Sequence, residues 1–590
     1  MRLLLLVLTF LQLLPEGSNP RYAVERALPL LQSSAREFVS KRSCFSCHHN
    51  ALPILALHMA RDRGFAINAS ALSSVEAATF STLLAPDALG QSIQATGLSD
   101  PTPNDSYLLM AAASAGIERS LTTAVHARQL LSWQQSGHWV TSDFRPPHSS
   151  SLFTATATAV RAILFYTPEE LNVEKQRAVA QAREWLRKTP PASTEDAAFR
   201  LMGLVWAGGD PRDISLATRD LISLQTPDGG WPQLPGYASD AYSTGESLVA
   251  LREAGMEATL PLWQRGARFL LSTQASDGTW RVKTRMISPA TVSPPYFSTG
   301  FPYGKEEFLS YAGTAWAVMA LLREFPEPAP VVLRDARAPE PWIRTALFGS
   351  SQDLARLLNG GLDVNSKTSN GTSLLMMAAT DVQKVKLLLS RGADVKARSS
   401  SGNDALTIAT AYRGTAPSIR LLLNAGADIE PPANAHVRRL PLVSASMAGD
   451  LENVKLLLNR GADASAGSPI AEAITFGRAD VVQALIRAGA DTGLREGSGV
   501  NLLHWATITD RAAVIPILAR AGVPLDDTDK AGFTPLMYAA TVDHGNTASL
   551  RALLAAGADS EVRNPDGRNA LEQTRHFQHK ALEAELLRQH

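Results

Sequence analysis

The chain has 590 residues, and its 56 lysines and arginines balance 56 aspartates and glutamates. A chain of this length predicts about three or four domains. The zero net charge and the lack of a basic run argue against nucleic acid or an anionic membrane as the main partner. The low aromatic content and the many alanines and leucines favour an all-α protein.

The amino terminus predicts export. Arg2 precedes an apolar run at residues 3–14, which has the length of a signal-peptide core and is too short to span a bilayer. We assign residues 1–20 to a signal peptide with an uncertain cut site. No later segment approaches the roughly 18 apolar residues of a spanning helix. We therefore expect no transmembrane segment after the signal peptide, and a periplasmic or secreted bacterial protein.

Both cysteines of the chain lie in a C-x-x-C-H pattern that runs from Cys44 to His48. This pattern is typical of c-type haem attachment, because two thiols at this spacing can bond the two vinyl groups of one haem. His48 would then be an axial iron ligand. We predict haem c on Cys44 and Cys47, and a redox, electron-transfer or sensing role. The motif lies in a haem-attachment segment, residues 21–65, that leads into a helical section.

Other interpretations of the cysteine pair stay open. It could be a disulfide or a thioredoxin-like redox pair, although no β-α-β pattern surrounds it. It could be part of a metal site, although a structural zinc site usually needs four ligands. A Cys44–Cys47 disulfide would leave a non-catalytic scaffold for protein interactions.

The second axial ligand of the iron is not fixed by the sequence. His49 is too close to His48 to reach the opposite face of the same haem. The other candidates, each of which also fits a packing or surface role, are His58, Met59, Met110, His138 and His148.

Residues 66–323 consist of apolar-periodic segments separated by short turns rich in Gly, Pro, Ser and Asp, which predict helical hairpins. Three turns share one pattern: an apolar helix end, Gln, a short turn, Gly, one residue and Trp. The copies lie at 130–139, 221–231 and 265–280. Gly supplies a positive φ, the Gln amide can bond a neighbouring helix end, and the indole covers apolar surface.

The copy at 265–280 resembles the QW motif of squalene and oxidosqualene cyclases, and the other two match it in part. The resemblance implies an α/α toroid, in which inner and outer helices alternate around a central cavity. Cyclases of this kind use an aspartate-rich acid, and the nearest carboxylates here, Glu195 and Asp196, lack that pattern. We favour a helix start for them, with Thr194 as the N-cap, and keep them as the candidate catalytic residues.

A toroid enzyme that acts on a terpenoid or a polysaccharide is the alternative function. Residues 229–233 also resemble a stretch of toroidal pectate lyases, which use an arginine base and calcium-binding carboxylates, but no matching carboxylate cluster surrounds them. The zinc ligands of protein prenyltransferases are not recognisable either. We therefore expect a non-enzymatic role.

An aromatic, Gly-rich loop at 296–308 precedes the last helix of this section. It could line the mouth of the cavity, contact the haem, or pack against the face of the ring of helices. Residues 324–341, which follow that helix, are rich in proline and predict a stiff linker at a domain boundary.

In residues 342–590, Gly-Ala-Asp or a close variant recurs at intervals of 28 to 35 residues. An apolar helix precedes each marker, and a Thr-Pro-Leu sequence at Thr534 opens the first helix of one unit. These signatures resemble ankyrin repeats, of which we count about eight. The resemblance implies a surface of loop tips and first helices that binds a protein partner. We expect an electron-transfer partner as well, and expect His504 to bond backbone within its own repeat.

Overall fold

The computed structural model describes residues 19–42, 45–94, 101–143, 145–148, 150–286, 296–336, 341–431 and 440–589. Residues 1–18 of the predicted signal peptide lie outside these ranges, and so does Cys44. The chain is 59% helix with few strands, which confirms a mostly helical fold. No helix in the described ranges is long and apolar enough to cross a membrane.

Fourteen α-helices form the described amino-terminal half. They are α1 Pro20–Lys41, α2 Leu52–Arg61, α3 Ala69–Thr79, α4 Ser81–Leu84, α5 Ala88–Ile93, α6 Pro101–Ser114, α7 Leu121–Trp133, α8 Leu152–Tyr166, α9 Asn172–Lys188, α10 Thr194–Trp206, α11 Pro211–Ser223, α12 Ala241–Glu253, α13 Pro261–Thr273 and α14 Glu307–Leu322. A π-helical turn, Cys47–Ala51, precedes α2, and 3₁₀ turns lie at Glu169–Leu171 and Gly304–Glu306. Two short strands, β1 Trp231–Pro232 and β2 Ser239–Asp240, pair antiparallel.

The helices of this half differ in how much of their surface is buried. In α12 every residue from Ala241 to Leu251 is buried, whereas the outer helix α9 buries a single stripe, Ala178, Ala182 and Leu186. The buried helices contact one another in the order α2, α6, α8, α10, α12, α14 and back to α2. Helices α7, α9 and α13 each contact two members of this series. The amphipathic helices therefore cover buried ones, as a helix with one apolar stripe must.

The three Gln-Gly-Trp turns make the same hydrogen bonds. Each tryptophan, Trp139, Trp231 and Trp280, is buried, and its indole donates to a carbonyl at the end of the preceding helix at 2.7–2.8 Å. The backbone N–H of each tryptophan also donates to a threonine hydroxyl of the following buried helix. Each glutamine donates to a carbonyl of another amphipathic helix; Gln274 reaches Ala23 of α1 at 2.7 Å. The predicted role of Trp is confirmed at all three turns. The predicted bond from Gln to a neighbouring helix end is found for Gln225 and Gln274, whereas Gln134 bonds Ala178 in the interior of α9.

Sixteen α-helices form the described carboxy-terminal half, and they follow one another in pairs. They are α15 Pro341–Phe348, α16 Ser351–Asn359, α17 Leu374–Ala378, α18 Val382–Ser390, α19 Ala405–Thr410, α20 Ala416–Asn424, α21 Pro441–Ala448, α22 Leu451–Asn459, α23 Pro469–Thr475, α24 Ala479–Arg487, α25 Leu502–Ile508, α26 Ile515–Arg520, α27 Pro535–Thr541, α28 Ala548–Ala556, α29 Ala570–Phe577 and α30 Lys580–Gln589.

The pairs stack into a solenoid. First helices contact first helices from α15 to α29, and second helices contact second helices from α16 to α30. Thr534 caps α27 through its side chain, and Pro535 occupies the first helical position. Gly557 ends α28 with a φ of +97°, which only glycine adopts without strain. These are ankyrin repeats, as the sequence period predicts.

The two halves pack against each other. Trp133 of α7 donates from its indole to the Ala411 carbonyl at 3.1 Å, and its ring meets the ring of Phe476 edge-on at 5.5 Å. Arg285 is buried and donates to the Asp543 carbonyl at 2.5 Å. The core of the helical half includes Phe476 of the array.

The array residues at this interface lie mostly in turns that join a first helix to a second helix. Gln135 accepts hydrogen bonds there from Arg478 at 2.5 Å and Arg413 at 3.4 Å. Gln94 contacts a different part of the array, where its amide oxygen accepts from Ser399 at 2.6 Å. The proline-rich segment therefore does not keep the two halves apart.

Candidate functional site

The site around the C-x-x-C-H motif begins at the π-helical turn Cys47–Ala51. Ser46 caps this turn, and its backbone N–H donates to the Asn50 side chain at 2.9 Å. Asn50 in turn donates to Thr79 of α3 at 2.9 Å, which anchors the turn to the neighbouring helix. Such π-turns inside helices frequently mark functional sites. Cys47 is buried here.

His48 and His49 are joined through their rings, with their Nδ1 atoms 2.5 Å apart. His49 is buried and lies between two parallel rings, Tyr311 at 3.9 Å and Phe38 at 4.8 Å. Its Nε2 lies 3.3 Å from the hydroxyl of Ser34. Consequently His49 is a core residue that orients His48, and its ring is not available to a ligand.

The aromatic loop at 296–308 reaches the motif. Phe308, the first residue after Glu307 in α14, stacks on His48 at 5.1 Å. Phe297 contacts Phe38 at 5.5 Å, and Tyr296 donates to the Glu307 carboxylate at 2.8 Å. The loop therefore contacts His48 through Phe308, and Phe297 and Tyr296 pack against Phe308 in turn.

His148 is the sequence-predicted ligand candidate with a ring contact to His48, at 5.9 Å between ring centroids. Its Nδ1 lies 3.1 Å from the Tyr242 hydroxyl. Its Nε2 is buried and has no hydrogen-bond partner among the described residues. The other two histidine candidates lie elsewhere, His58 against Glu76 at 2.6 Å and His138 stacked on Trp185 at 5.0 Å.

The imidazoles of this site are held neutral. Burial lowers the pKa of His48 well below its usual value, and the neighbouring His49 and His148 lower the pKa of His48 further. Burial likewise lowers the pKa of His49 well below its usual value and that of His148 to about 4. A neutral imidazole has the lone pair that a metal needs.

These residues fit a haem iron. When Nε2 of a histidine binds a metal, Nδ1 has the proton and donates it to a second group. Tyr242 can accept from His148 in this way, and His49 can accept from His48. The part of the chain that the structure describes has no group of three or more His, Cys, Asp or Glu residues suited to a metal ion. A haem iron needs only axial ligands from the protein, since the porphyrin supplies the other four.

A second polar group lies within the same helical core. Glu195 of α10 is 3% exposed and accepts a hydrogen bond from Thr154 of α8. Glu246 of α12 is 0% exposed, and neither of its carboxylate oxygens has a hydrogen-bond partner among the described residues. Burial raises the pKa of Glu195 to about 8. Burial, and then the charge of Glu195, raise the pKa of Glu246 well above its usual value.

Glu195 and Asp196 have different environments although they are adjacent. Asp196 forms a capping box with Ser193, and its carboxylate accepts from the backbone of Ser193 at 3.1 Å. The N-cap of α10 is therefore Ser193, one residue before the predicted Thr194. Thr194 donates instead to the Pro232 carbonyl at 2.6 Å. Asp196 therefore has the role at the start of α10 that the sequence predicts, whereas the Glu195 side chain is buried in the core.

Sequence reasoning missed Glu246 and Tyr242. Both lie in α12, but only Glu246 falls within the apolar-periodic run at residues 244–254. The available signal was a glutamate near the middle of a helix with small or apolar residues on every side.

Comparison with known proteins identifies the repeats of the carboxy-terminal half. The family profile described as Ankyrin repeats matches three copies, at residues 342–433 and 470–564. The palmitoyltransferase Hip14 of Drosophila melanogaster is 31% identical over 102 residues, which are 17% of this chain and 16% of that protein. ZDHHC13 of Danio rerio is 28% identical over 198 residues, 27% of this chain and 30% of that protein. This chain thus spans less than a third of either relative.

Among solved structures, the ankyrin repeat domain of human ASB11 is similar to this chain with 25% identity and a TM-score of 0.29. The match covers 42% of this chain and 98% of that one. The family profile and the stacked helix pairs define a mostly helical protein with ankyrin repeats, a module that binds other proteins.

Proposed function

We propose that the chain is an exported c-type haem protein, with haem c on Cys44 and Cys47 and with His48 on the iron. The observation that best supports this proposal is the setting of His48. Its ring is oriented by His49, stacked on Phe308 and adjacent to a second buried imidazole, that of His148. A disulfide-bonded scaffold would need none of these contacts.

Attachment of the haem is an addition reaction without net oxidation. Each thiol adds across one vinyl group, so that a carbon–sulfur bond forms and the thiol hydrogen moves to the neighbouring vinyl carbon. Cys47 lies at the start of the π-turn, beside His48. Bound there, the haem would supply a one-electron redox couple in an environment from which burial excludes most water.

The helical half is proposed to be an α/α toroid. The order of contacts among its buried helices, which returns from α14 to α2, supports this arrangement. The repeated Gln hydrogen bonds support it too, because they join successive outer helices. The Trp backbone bonds support it by joining each turn to the next buried helix. In this arrangement the haem segment and the Glu195–Glu246 pair both face the centre.

The ankyrin repeats are proposed to bind a protein partner, with electron transfer as the purpose of the complex. The helical half already covers turns that follow the first helices. We place the partner on the Gly-Ala-Asp turns that follow the second helices, where charged side chains such as Arg391 and Asp491 are exposed. Polar, exposed turns of this kind suit a transient complex.

The proposal is tested by expressing the full chain, with its leader, together with a bacterial haem-attachment system. Pyridine haemochrome spectra of the exported protein should show covalent haem in the wild type. The double variant Cys44→Ser, Cys47→Ser should show none, while the conservative Phe45→Leu, inside the motif, should keep the haem. A wild-type protein without haem and lighter by two hydrogen atoms would contradict the proposal and support the disulfide.

A second candidate function is acid catalysis on a terpenoid, and the buried pair Glu195–Glu246 favours it. A carboxylic acid whose pKa is raised to about 8 stays protonated at neutral pH and can protonate an alkene or an epoxide. Incubation with squalene and 2,3-oxidosqualene, followed by mass spectrometry of the products, tests this function. Cyclised products that disappear in Glu195→Gln would support it, and unchanged substrate would exclude it for these compounds.

A further inference from the structure

His148 is one of the five residues that the sequence leaves open as the second axial ligand of the iron. It is 7% exposed, and its ring meets that of His48 edge-on, at an interplanar angle of 65° and with 5.9 Å between the ring centroids. Metal–imidazole bonds are about 2 Å long, so two imidazole nitrogens on opposite sides of one metal are about 4 Å apart. Ring centroids separated by 5.9 Å are compatible with that spacing.

The two nitrogens of His148 have different surroundings. Nδ1 is 3.1 Å from the Tyr242 hydroxyl, while Nε2 is buried with no partner in the described ranges. A buried polar atom without a hydrogen-bond partner destabilises the fold, so such an atom requires an explanation. A bond from Nε2 to a metal would explain why Nε2 has no hydrogen-bond partner. The Tyr242 contact at Nδ1 would then orient the ring, as hydrogen-bonded groups do for histidine ligands at other metal sites.

We propose that His148 is the second axial ligand of the haem iron, opposite His48, and that Tyr242 is its positioning residue. This inference rests on the proposed function, since it requires covalent haem at Cys44 and Cys47. Two histidine ligands give a six-coordinate iron without an open position. The site is therefore built for electron transfer, not for the binding or activation of oxygen.

The test uses the exported wild-type holoprotein and the variants His148→Ala and His148→Met. Optical and electron paramagnetic resonance spectra should show a low-spin ferric iron with two imidazoles in the wild type. His148→Ala should give a high-spin iron, and His148→Met should show a methionine–iron charge-transfer band. Because methionine fills most of the space of histidine, this variant tests ligation even if the alanine variant does not fold.

The matched control is His138→Ala, which removes another mostly buried histidine, one that stacks on Trp185. It should leave the haem spectra unchanged. Tyr242→Phe should keep the haem low-spin and shift its reduction potential, a readout that a purely structural role would not move. Covalent haem that stays low-spin with two imidazoles in both His148 variants would overturn this inference and leave the proposed function intact. Absence of covalent haem in the wild type would overturn both.

Discussion

Trp133 donates from its indole to the backbone carbonyl of Ala411 at 3.1 Å, so a helix of the amino-terminal half is bonded to the turn of an ankyrin repeat. The same ring packs on Phe476 of a later repeat. Ankyrin arrays usually offer their surfaces to other molecules. Here part of that surface is occupied by the chain's own helical half.

This relationship predicts that the two halves unfold together. Trp133→Ala removes a buried ring and leaves a carbonyl unpaired, and should lower the free energy of unfolding by about 3–5 kcal/mol. Urea unfolding followed by circular dichroism should show one transition for the wild type and two for the variant. Trp206→Phe removes an indole bond to Glu253 within the helical half and should keep a single transition. Two transitions in the wild type would contradict the coupling.

Glu195 and Glu246 predict a stability that falls as pH rises. Burial raises the pKa of Glu195 to about 8 in the folded chain, so the folded state binds more protons than the unfolded state between about pH 4.5 and pH 8. Protonated Glu195 contributes its full stabilisation at pH values below its pKa in the unfolded chain. This stabilisation is lost as the pH rises through its pKa in the folded chain. Each pKa unit corresponds to about 1.4 kcal/mol.

Urea unfolding at pH 5, 6.5 and 8 (about the span set by these pKa values) measures this effect. Glu195→Gln should flatten the fall, because glutamine resembles the protonated acid at every pH. The control Glu184→Gln changes an exposed residue whose pKa is lowered to about 2 by hydrogen bonds from Arg187 and Lys188, and it should keep the wild-type slope. If the free energy of unfolding changed with pH equally in the wild type and in both variants, Glu195 would be ionised in the folded chain.

Gly278, which lies in a Gln-Gly-Trp turn, should tolerate alanine less well than Gly255, which lies outside these turns. Gly278 and Gly255 have φ values of +88° and +87°, so alanine at either site has the strain of the left-handed region, about 1–2 kcal/mol. At Gly278 the added Cβ would also clash with the Arg26 carbonyl of α1, whereas nothing lies within 4 Å at Gly255. Gly278→Ala should therefore destabilise the fold by about 2 kcal/mol more than Gly255→Ala in thermal unfolding. Equal losses would show that α1 does not pack against this turn.

Local patterns in the sequence predicted local contacts well. The Gln-Gly-Trp spacing predicted the bonds of Gln274 and Trp280, and the glycine period predicted the ends of the second ankyrin helices. Both features recur along the chain, and a few adjacent residues determine the local structure of each copy. The predicted backbone bond of His504 within its own repeat is confirmed, because its Nδ1 accepts from the Asn501 backbone N–H at 3.3 Å. Its Nε2 lies 2.8 Å from the Phe533 carbonyl of the next repeat, a contact that the sequence did not predict.

Contacts between distant segments could not be predicted in this way. No period or spacing in the sequence indicates that Trp133 bonds Ala411 or that His148 lies near His48. Glu246 could be recognised only once α12 was seen to be buried on all sides, because its burial depends on neighbouring helices.

The most direct test of the account is the intact mass and reduced-haem spectrum of the exported, full-length protein made with a haem-attachment system. We expect a gain of one haem per chain that survives denaturation, and its loss when Cys44 and Cys47 are replaced by serine. A denatured protein without haem, and lighter than its sequence by two hydrogen atoms, would contradict the account.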